Sequence, residues 1–252
     1  MRVIIPARYA STRLPGKALQ DVHGQTLIQR VYDRAIASGA TSTIIATDDA
    51  RIKDASEAFG AQVCITSTEH RSGTERIAEV IEILGIDDDE VIVNLQGDEP
   101  LMPATLITQV AATLAQHTSA VVATAMHPIS DQAVLDDPNV VKVVCDHEGF
   151  ALFFSRAAIP NSMRTKASGA NSELGYRHIG LYAYKAGFVN YYASLPPCRL
   201  EQVEALEQLR VLWYGMRIAV CEALEVPGPG VDTPEDLRIV RDIIGANSKL
   251  DV

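Results

Sequence analysis

Three cations and two hydroxyls crowd one short stretch near the start of the sequence. The run PARYASTRLPGKAL carries Arg8, Arg13 and Lys17 with Ser11 and Thr12 among them, and no acid occurs before Asp21. Such a loop suits a polyphosphate, because it offers fixed positive charge, hydroxyl donors and, at Gly16, a backbone that a ligand can approach closely. Any one of these cations alone would read as solvated or paired with a surface acid. Two carboxylates could hold the metal that a triphosphate brings. Asp98 stands in Asn94-Leu95-Gln96-Gly97-Asp98-Glu99-Pro100, and Asp232 stands in VPGPGVDTPED. Mg²⁺ is bound by one or two carboxylates, with phosphate oxygens and water completing its shell. The plainer alternatives are an Asx turn at Asp98 before Pro100 and, for Asp232, an anion near a helix dipole. Helix capping does not require Asp232. Pro234 suits the first helical position, which makes Thr233 the N-cap, with Asp236 completing the capping pattern.

The chain has neither GxxxxGK[ST] nor GxGxxG, which counts against a P-loop kinase and a common dinucleotide-dependent dehydrogenase. With 22 Lys plus Arg against 32 Asp plus Glu, the net charge is −10. A phosphate-tracking nucleic-acid binder needs a basic face, so nucleic acid is not expected as a partner. The cationic loop is a local exception to an acidic background.

These residues need a scaffold, and the apolar pattern supplies one. Short runs at Val3–Ile5, Thr43–Ala46, Val63–Ile65, Val91–Val93, Ala120–Ala123 and Val140–Val144 are mostly continuous rather than alternating. That pattern fits strands covered on both faces in a parallel sheet. Between them, Leu27, Ile28, Val31, Tyr32, Ala35 and Ile36 repeat at helical spacing, with Gly39 as a stop. Further helices are expected near Asp49–Phe59, Thr74–Leu84, Pro103–Gln116, Glu201–Met216 and Pro234–Ile244. A hairpin is expected where Val140–Val144 meets Leu152–Phe154, with strands near His178–Tyr184 and Ile218–Cys221. The reading is a doubly wound α/β fold with a mostly parallel mixed sheet and an inserted hairpin region, in one domain over residues 1–252. Ligands of such sheets bind beyond the carboxyl ends of the strands, where the cationic loop and Asp98 both emerge. Cys64, Cys145, Cys198 and Cys221 form no CxxC pair, and a reduced, buried thiol is expected at Cys64 and Cys145. With no signal-peptide core and no membrane-spanning run, the chain reads as cytoplasmic and not membrane-bound.

The segments PARYASTRLPGK, ATDDARI, HRSGTERIAEV, VNLQGDEPLMP, FSRAAIP, YRHIGLYAY, LEQLRVLWYG and VPGPGVDTPEDL, in order from residue 3 to about 240, resemble the 3-deoxy-manno-octulosonate (KDO) cytidylyltransferases. The opening loop marks the wider sugar nucleotidyltransferase group, whereas QGDEP with LEQLRVLWYG and GVDTPEDL is more specific. The resemblance implies the nucleotide-diphospho-sugar transferase fold, a homodimer, and Mg²⁺-dependent conversion of CTP and KDO to CMP-KDO and pyrophosphate for lipopolysaccharide synthesis. By the same resemblance, Arg8, Ser11, Arg13 and Lys17 match the phosphate-binding loop, and Asp98 and Asp232 match the metal-binding aspartates. Ser72, Gly73 and Thr74 match the stretch facing the cytidine. Gln96, Arg156, His178, Tyr182, Glu207 and Gln208 match residues facing the sugar acid. The family follows FSRAxIP with an aromatic residue and a nearby arginine; here Pro160-Asn161-Ser162-Met163-Arg164 lacks the aromatic, and Arg164 is not carried over.

The implied chemistry is in-line attack by the anomeric hydroxyl on the α-phosphorus of CTP. Lys17, Arg13 and Asp98 form the catalytic set, and no protein nucleophile is involved. By pattern alone several sugar-side residues also have ordinary structural readings: His178 as a strand histidine, Tyr182 as a packing aromatic, and Glu207 in a surface ion pair with Arg210. Val203, Leu206, Leu209, Trp213 and Met216 read as the core stripe of that helix. Two other functions compete. One is the same chemistry on 8-amino-KDO or a sialic acid, and the other is an inactive nucleotide-binding module, which would not keep both aspartates.

Overall fold

The computed structural model describes residues 1–70, 72–161 and 174–247. Its elements follow in chain order, beginning with β1 (Arg2–Ala7), β2 (Asp21–Val22), β3 (Gln25–Thr26) and α1 (Leu27–Ala37). Next come β4 (Ser42–Thr47), α2 (Ala50–Ala58), β5 (Gln62–Ile65), α3 (Gly73–Leu84), β6 (Val91–Asn94) and α4 (Ala104–Gln116). Then follow β7 (Ala120–Ile129), α5 (Gln132–Asp136), β8 (Lys142–Cys145), β9 (Ala151–Ser155), β10 (Gly175–Lys185) and α6 (Ala186–Ser194). The remaining elements are α7 (Arg199–Glu204), α8 (Leu209–Trp213), β11 (Arg217–Glu222) and α9 (Pro234–Asn247). The chain divides into two compact units, residues 1–108, 185–193 and 225–252 in the first and residues 109–184 and 194–224 in the second.

In the first unit the strands run parallel in the order β6-β1-β4-β5. Val3, Ile4, Ile5, Ile44, Ile45, Ile92 and Val93 are wholly buried, as continuous apolar strands should be when helices cover both faces. Strand β1 is joined to β4 on one side and β6 on the other, so the chain order reverses there. Doubly wound sheets open a ligand crevice at such a switch point, outside the carboxyl ends of the strands. The loop after β1 and the loop after β6 are therefore neighbours. Helix α1 begins at Thr26, whose hydroxyl caps the Gln29 N–H at 3.3 Å, and buries Leu27, Ile28, Val31 and Ala35. Ile36, expected on that face, is half exposed.

In the second unit β7 pairs in parallel with β11 and antiparallel with β10, while β8 pairs antiparallel with both β10 and β9. The expected hairpin is β8–β9. Lys142 is wholly buried there, and its ammonium donates to the carbonyls of Asp137 (2.9 Å), Val140 (2.6 Å) and Arg156 (2.6 Å).

One expected helix is wrong. Residues 201–216 do not form a single helix: α7 ends at Ala205, which takes a left-handed conformation (φ 52°), and α8 starts afresh at Leu209. The break turns the chain back, so that the Arg210 guanidinium grips the Glu201 carboxylate bidentately, Nε to Oε2 at 2.7 Å and Nη2 to Oε1. In a continuous helix nine residues would separate them by about 13 Å along the axis. Arg210 is thus buried and partnered with Glu201, and Val203 (74% exposed) and Trp213 (54%) face outward instead of forming a core stripe. Leu206 and Leu209 are buried as expected. The four cysteines are free, with Cys64 and Cys198 buried and Cys145 and Cys221 partly so. Among the described residues, no helix is long and apolar enough to cross a membrane.

Candidate active site

A cavity of about 360 Å³ opens in the first unit at the switch point between β1 and β6. Its lining includes Arg8, Ser11, Arg13, Lys17, Gly73, Gln96, Asp98 and Asp232, eight residues expected from the sequence. Local structure explains how each arrives. Gly16 adopts φ 63° and its N–H meets the Tyr9 carbonyl at 3.3 Å, closing the loop after β1 so that Lys17 faces inward. Arg51 stacks over the Tyr9 ring, 3.2 Å from its centroid, and braces the loop from outside. Arg8 and Arg13 are exposed, whereas Lys17 is partly buried.

Packing brings the distant carboxylates in. Leu14 of the cationic loop and Val231 share one buried cluster with Val22, Leu27, Leu237 and Val240. The Val231 N–H donates to the Asp98 carbonyl at 2.8 Å, so the loop after β6 and the loop before α9 are joined at their backbones. Asp236 caps α9 as expected, accepting from the Asp232 and Thr233 N–H groups at 3.0 and 2.8 Å and from the Thr233 hydroxyl at 2.8 Å. Burial works to raise its pKa, but those hydrogen bonds prevail and hold it below the usual carboxylate value. The Asp232 side chain is left for the cavity.

There the charges converge. Lys17 Nζ lies 2.7 Å from Asp98 Oδ2 and 3.1 Å from Asp232 Oδ1, and Arg13 Nη2 lies 3.0 Å from Asp232 Oδ2. Burial works to lower the Lys17 pKa, but Asp98 and then Asp232 outweigh it and hold the ammonium above its ordinary value. Two hard carboxylate donors facing one positive centre form a set that fits Mg²⁺. Among the described residues no three acidic, His or Cys side chains converge on one point, so a cation at Asp98 and Asp232 would complete its shell from phosphate and water.

Ser72 caps α3, accepting the Glu75 N–H at 3.2 Å, which places Gly73 at the cavity wall and buries Thr74 beside it. Both glycines of the wall are closely approached, and at Gly97 the approach is by backbone. A Cβ on Gly73 would sit 3.2 Å from Pro6 Cγ, and one on Gly97 would sit 2.9 Å from the Pro6 carbonyl oxygen.

The other expected residues, Arg156, His178, Tyr182, Glu207 and Gln208, belong to the second unit. His178 and Tyr182 are in ring contact at 5.3 Å, and His178 Nε2 lies 2.9 Å from Thr124 Oγ1 with the Phe154 ring edge-on at 5.0 Å. Burial pushes the His178 pKa down to about 3, so its imidazole is neutral at physiological pH. The Arg156 guanidinium donates to the carbonyls of Glu204 (2.8 Å), Pro138 (3.1 Å) and Ala205 (3.4 Å). Gln208 is buried. Arg164 lies outside the described residues. Sequence reasoning missed Thr124 and Glu204. Glu204 accepts the Ser155 hydroxyl at 2.8 Å and the Arg156 N–H at 3.0 Å, and no local spacing announces contacts across 49 and 48 residues.

Known proteins point the same way as the geometry. A family model described as "Cytidylyltransferase" matches residues 2–218. The chain is 54% identical over 248 residues to the 3-deoxy-manno-octulosonate cytidylyltransferase of Vibrio vulnificus strain CMCP6, covering 98% of each chain. It is 53% identical over 249 residues to the protein of the same name from Vibrio cholerae strain M66-2, again covering 98% of each. Among solved structures, CMP:2-keto-3-deoxy-manno-octonic acid synthetase complexed with CTP superposes with a TM-score of 0.90 at 38% identity, covering 97% of this chain and 98% of that one.

Proposed function

Since the chain belongs to the 3-deoxy-manno-octulosonate cytidylyltransferase family and is a nucleotidyltransferase, we propose that it transfers CMP from CTP to the anomeric hydroxyl of KDO and releases pyrophosphate. The observation that carries this reading is Lys17, held between Asp98 and Asp232 in a cavity at the switch point, with Arg8 and Arg13 at the same loop. A site that binds a triphosphate and an acidic sugar must gather cations around phosphate and still present carboxylates for a metal. This cavity has both.

In this reading Arg8, Arg13 and Ser11 bind the triphosphate, and Gly73 and Gly97 let it lie close to the sheet. Lys17 neutralises charge that builds on the phosphate oxygens as pyrophosphate departs. Its raised pKa keeps it cationic at any working pH. Asp98 and Asp232 hold Mg²⁺, which when bound supplies positive charge beside the phosphates and lowers the pKa of the attacking hydroxyl. Ser72 and Thr74 stand at the cytidine. Gln96, Arg156, His178, Tyr182, Glu207 and Gln208 serve the sugar acid. His178, being neutral, contributes a hydrogen bond and shape rather than charge. The product serves lipopolysaccharide synthesis in the cytoplasm, and the working protein is a homodimer.

A pyrophosphate-release assay with CTP, Mg²⁺ and a panel of KDO, 8-amino-KDO and sialic acid tests the proposal. Turnover with KDO, lost on chelation of Mg²⁺, is expected. Turnover with the amino sugar alone would overturn the acceptor, and no turnover with any of them would overturn the reaction.

A further inference from the structure

Arg76 is the largest wholly buried side chain among the described residues, and nothing in the proposed reaction uses it. It lies on the first turn of α3, four residues after the capping Ser72. Its Nη2 donates to Asp48 Oδ2 at 2.7 Å, and its Nη1 donates to the Thr66 hydroxyl and to the Ser67 carbonyl at 3.3 Å. One turn further, Glu79 accepts the Ser67 N–H at 2.8 Å and pairs with His70. The backbone of Ser67 is therefore held at its carbonyl by Arg76 and at its N–H by Glu79. Asp48 follows the last residue of β4, and the Thr66 N–H donates to the Thr47 carbonyl at 2.9 Å. One buried guanidinium thus ties the carboxyl end of β4, the loop leaving β5 and the first turn of α3 together.

That first turn is the part of α3 that meets the cavity, through Gly73. An apolar side chain could fill the volume of Arg76, and buried ion pairs are often no more stabilising than apolar replacements. What an apolar residue could not do is hold three polar anchors in one fixed arrangement. Resting on the nucleotidyltransferase reading above, we infer that Arg76 and Asp48 are a positioning pair for the nucleotide. They fix the Ser72-Gly73-Thr74 turn against the phosphate cavity without touching the substrate.

The test uses the purified full chain with Arg76→Met, Arg76→Lys, Asp48→Asn and the double variant Arg76→Met with Asp48→Asn. CTP affinity is measured by calorimetry, KM for CTP and for KDO separately by pyrophosphate release, and folding by circular dichroism. We expect Arg76→Met and Asp48→Asn each to weaken CTP binding at least about tenfold, since misplacement of even 1 Å can cost far more. KM for KDO should change less than about twofold. Arg76→Lys should recover part of the loss, and the double variant should be no worse than the weaker single one, as for two residues acting as one unit. If Arg76→Met does not fold, Arg76→Lys and Asp48→Asn decide the matter. Folded variants that bind CTP as the unaltered protein does, equal rises in both KM values, or multiplying effects would each overturn the positioning role. An unaltered protein with no affinity for CTP would instead overturn the nucleotide reading itself.

Discussion

Lys17 donates to Asp98 across 2.7 Å, joining two loops that lie 81 residues apart in the chain. The same ammonium reaches Asp232, which lies 215 residues from Lys17 in sequence, at 3.1 Å. Lys17 therefore bridges both carboxylates proposed to hold Mg²⁺, and Arg13 adds a second cation at Asp232.

The first prediction concerns that charge. Lys17→Met should lower kcat by about 10²- to 10³-fold, the usual consequence of removing one preorganised charge or donor. It should also tighten Mg²⁺ binding measured in the absence of nucleotide, because Asp98 and Asp232 lose their competing ammonium. Full activity in the variant, by pyrophosphate release, would refute the assigned role.

Asp98→Asn should abolish Mg²⁺-dependent turnover while leaving the fold intact. Asp98 is on the surface of the cavity rather than in the core, so little packing is lost. Circular dichroism and the pyrophosphate assay together check this, and unimpaired turnover would count against a metal at Asp98.

At Gly97, steric contact sets the limit. The added Cβ of Gly97→Ala would stand 2.9 Å from the Pro6 carbonyl oxygen and 3.4 Å from Ile28 Cδ1. Backbone cannot yield as a flexible side chain does, so we expect a loss of about 1–3 kcal/mol in urea unfolding. CTP affinity should fall with it, because the displaced wall is that of the cavity. Wild-type stability in this variant would show that β1 and the Gln96-Gly97-Asp98 loop are less closely packed than described.

His178 predicts a pH dependence. Its pKa is pushed down by burial to about 3 in the folded protein, against about 6.5 when unfolded. Between those values the unfolded chain holds the extra proton, so stability is present above about pH 6.5 and is lost as the pH falls below it. From pH 7 to pH 5 this group alone should cost the protein up to about 2 kcal/mol. His178→Phe should remove that share of the acid-side slope. An identical slope in both proteins, measured by urea unfolding at each pH, would contradict the buried neutral imidazole.

The pair Glu201–Arg210 predicts stability without direct chemistry. Both side chains are about 90% buried, at 11% and 10% exposure. Glu201→Ala strands a buried guanidinium and should cost about 3–5 kcal/mol, whereas exchanging both residues for apolar ones of similar volume should cost much less. Equal losses in the two proteins would show that the pair is not acting as a unit.

Much of this was legible in local pattern. Continuous Val and Ile runs predicted parallel strands, and β1, β4, β5 and β6 are parallel; the apolar runs of β1, β4 and β6 are buried, whereas edge strand β5 leaves Ile65 48% exposed. Thr233, Pro234 and Asp236 predicted the start of α9 because capping acts within one turn. The single helix over 201–216 failed for the converse reason. Ala205 carries no local breaker, and its left-handed turn is stabilised by a bond between Glu201 and Arg210 that only folding can form.

By itself, then, the sequence determined which groups the chain carries: a loop of Arg8, Arg13 and Lys17 against an acidic background, and two candidate carboxylates, Asp98 and Asp232, of which helix capping does not require Asp232. Tertiary structure decided that these meet. Leu14 and Val231 are ordinary apolar residues until they enter one cluster, and their burial carries Lys17 and Asp232 together. Arg76 shows the same division, since its complete burial against Asp48 depends on which helix face meets the sheet. Residue type and spacing report interactions within a turn or a pleat. Contacts between distant segments are set by which apolar faces exclude water together, and a charge buried by that packing must take whatever partner lies beside it.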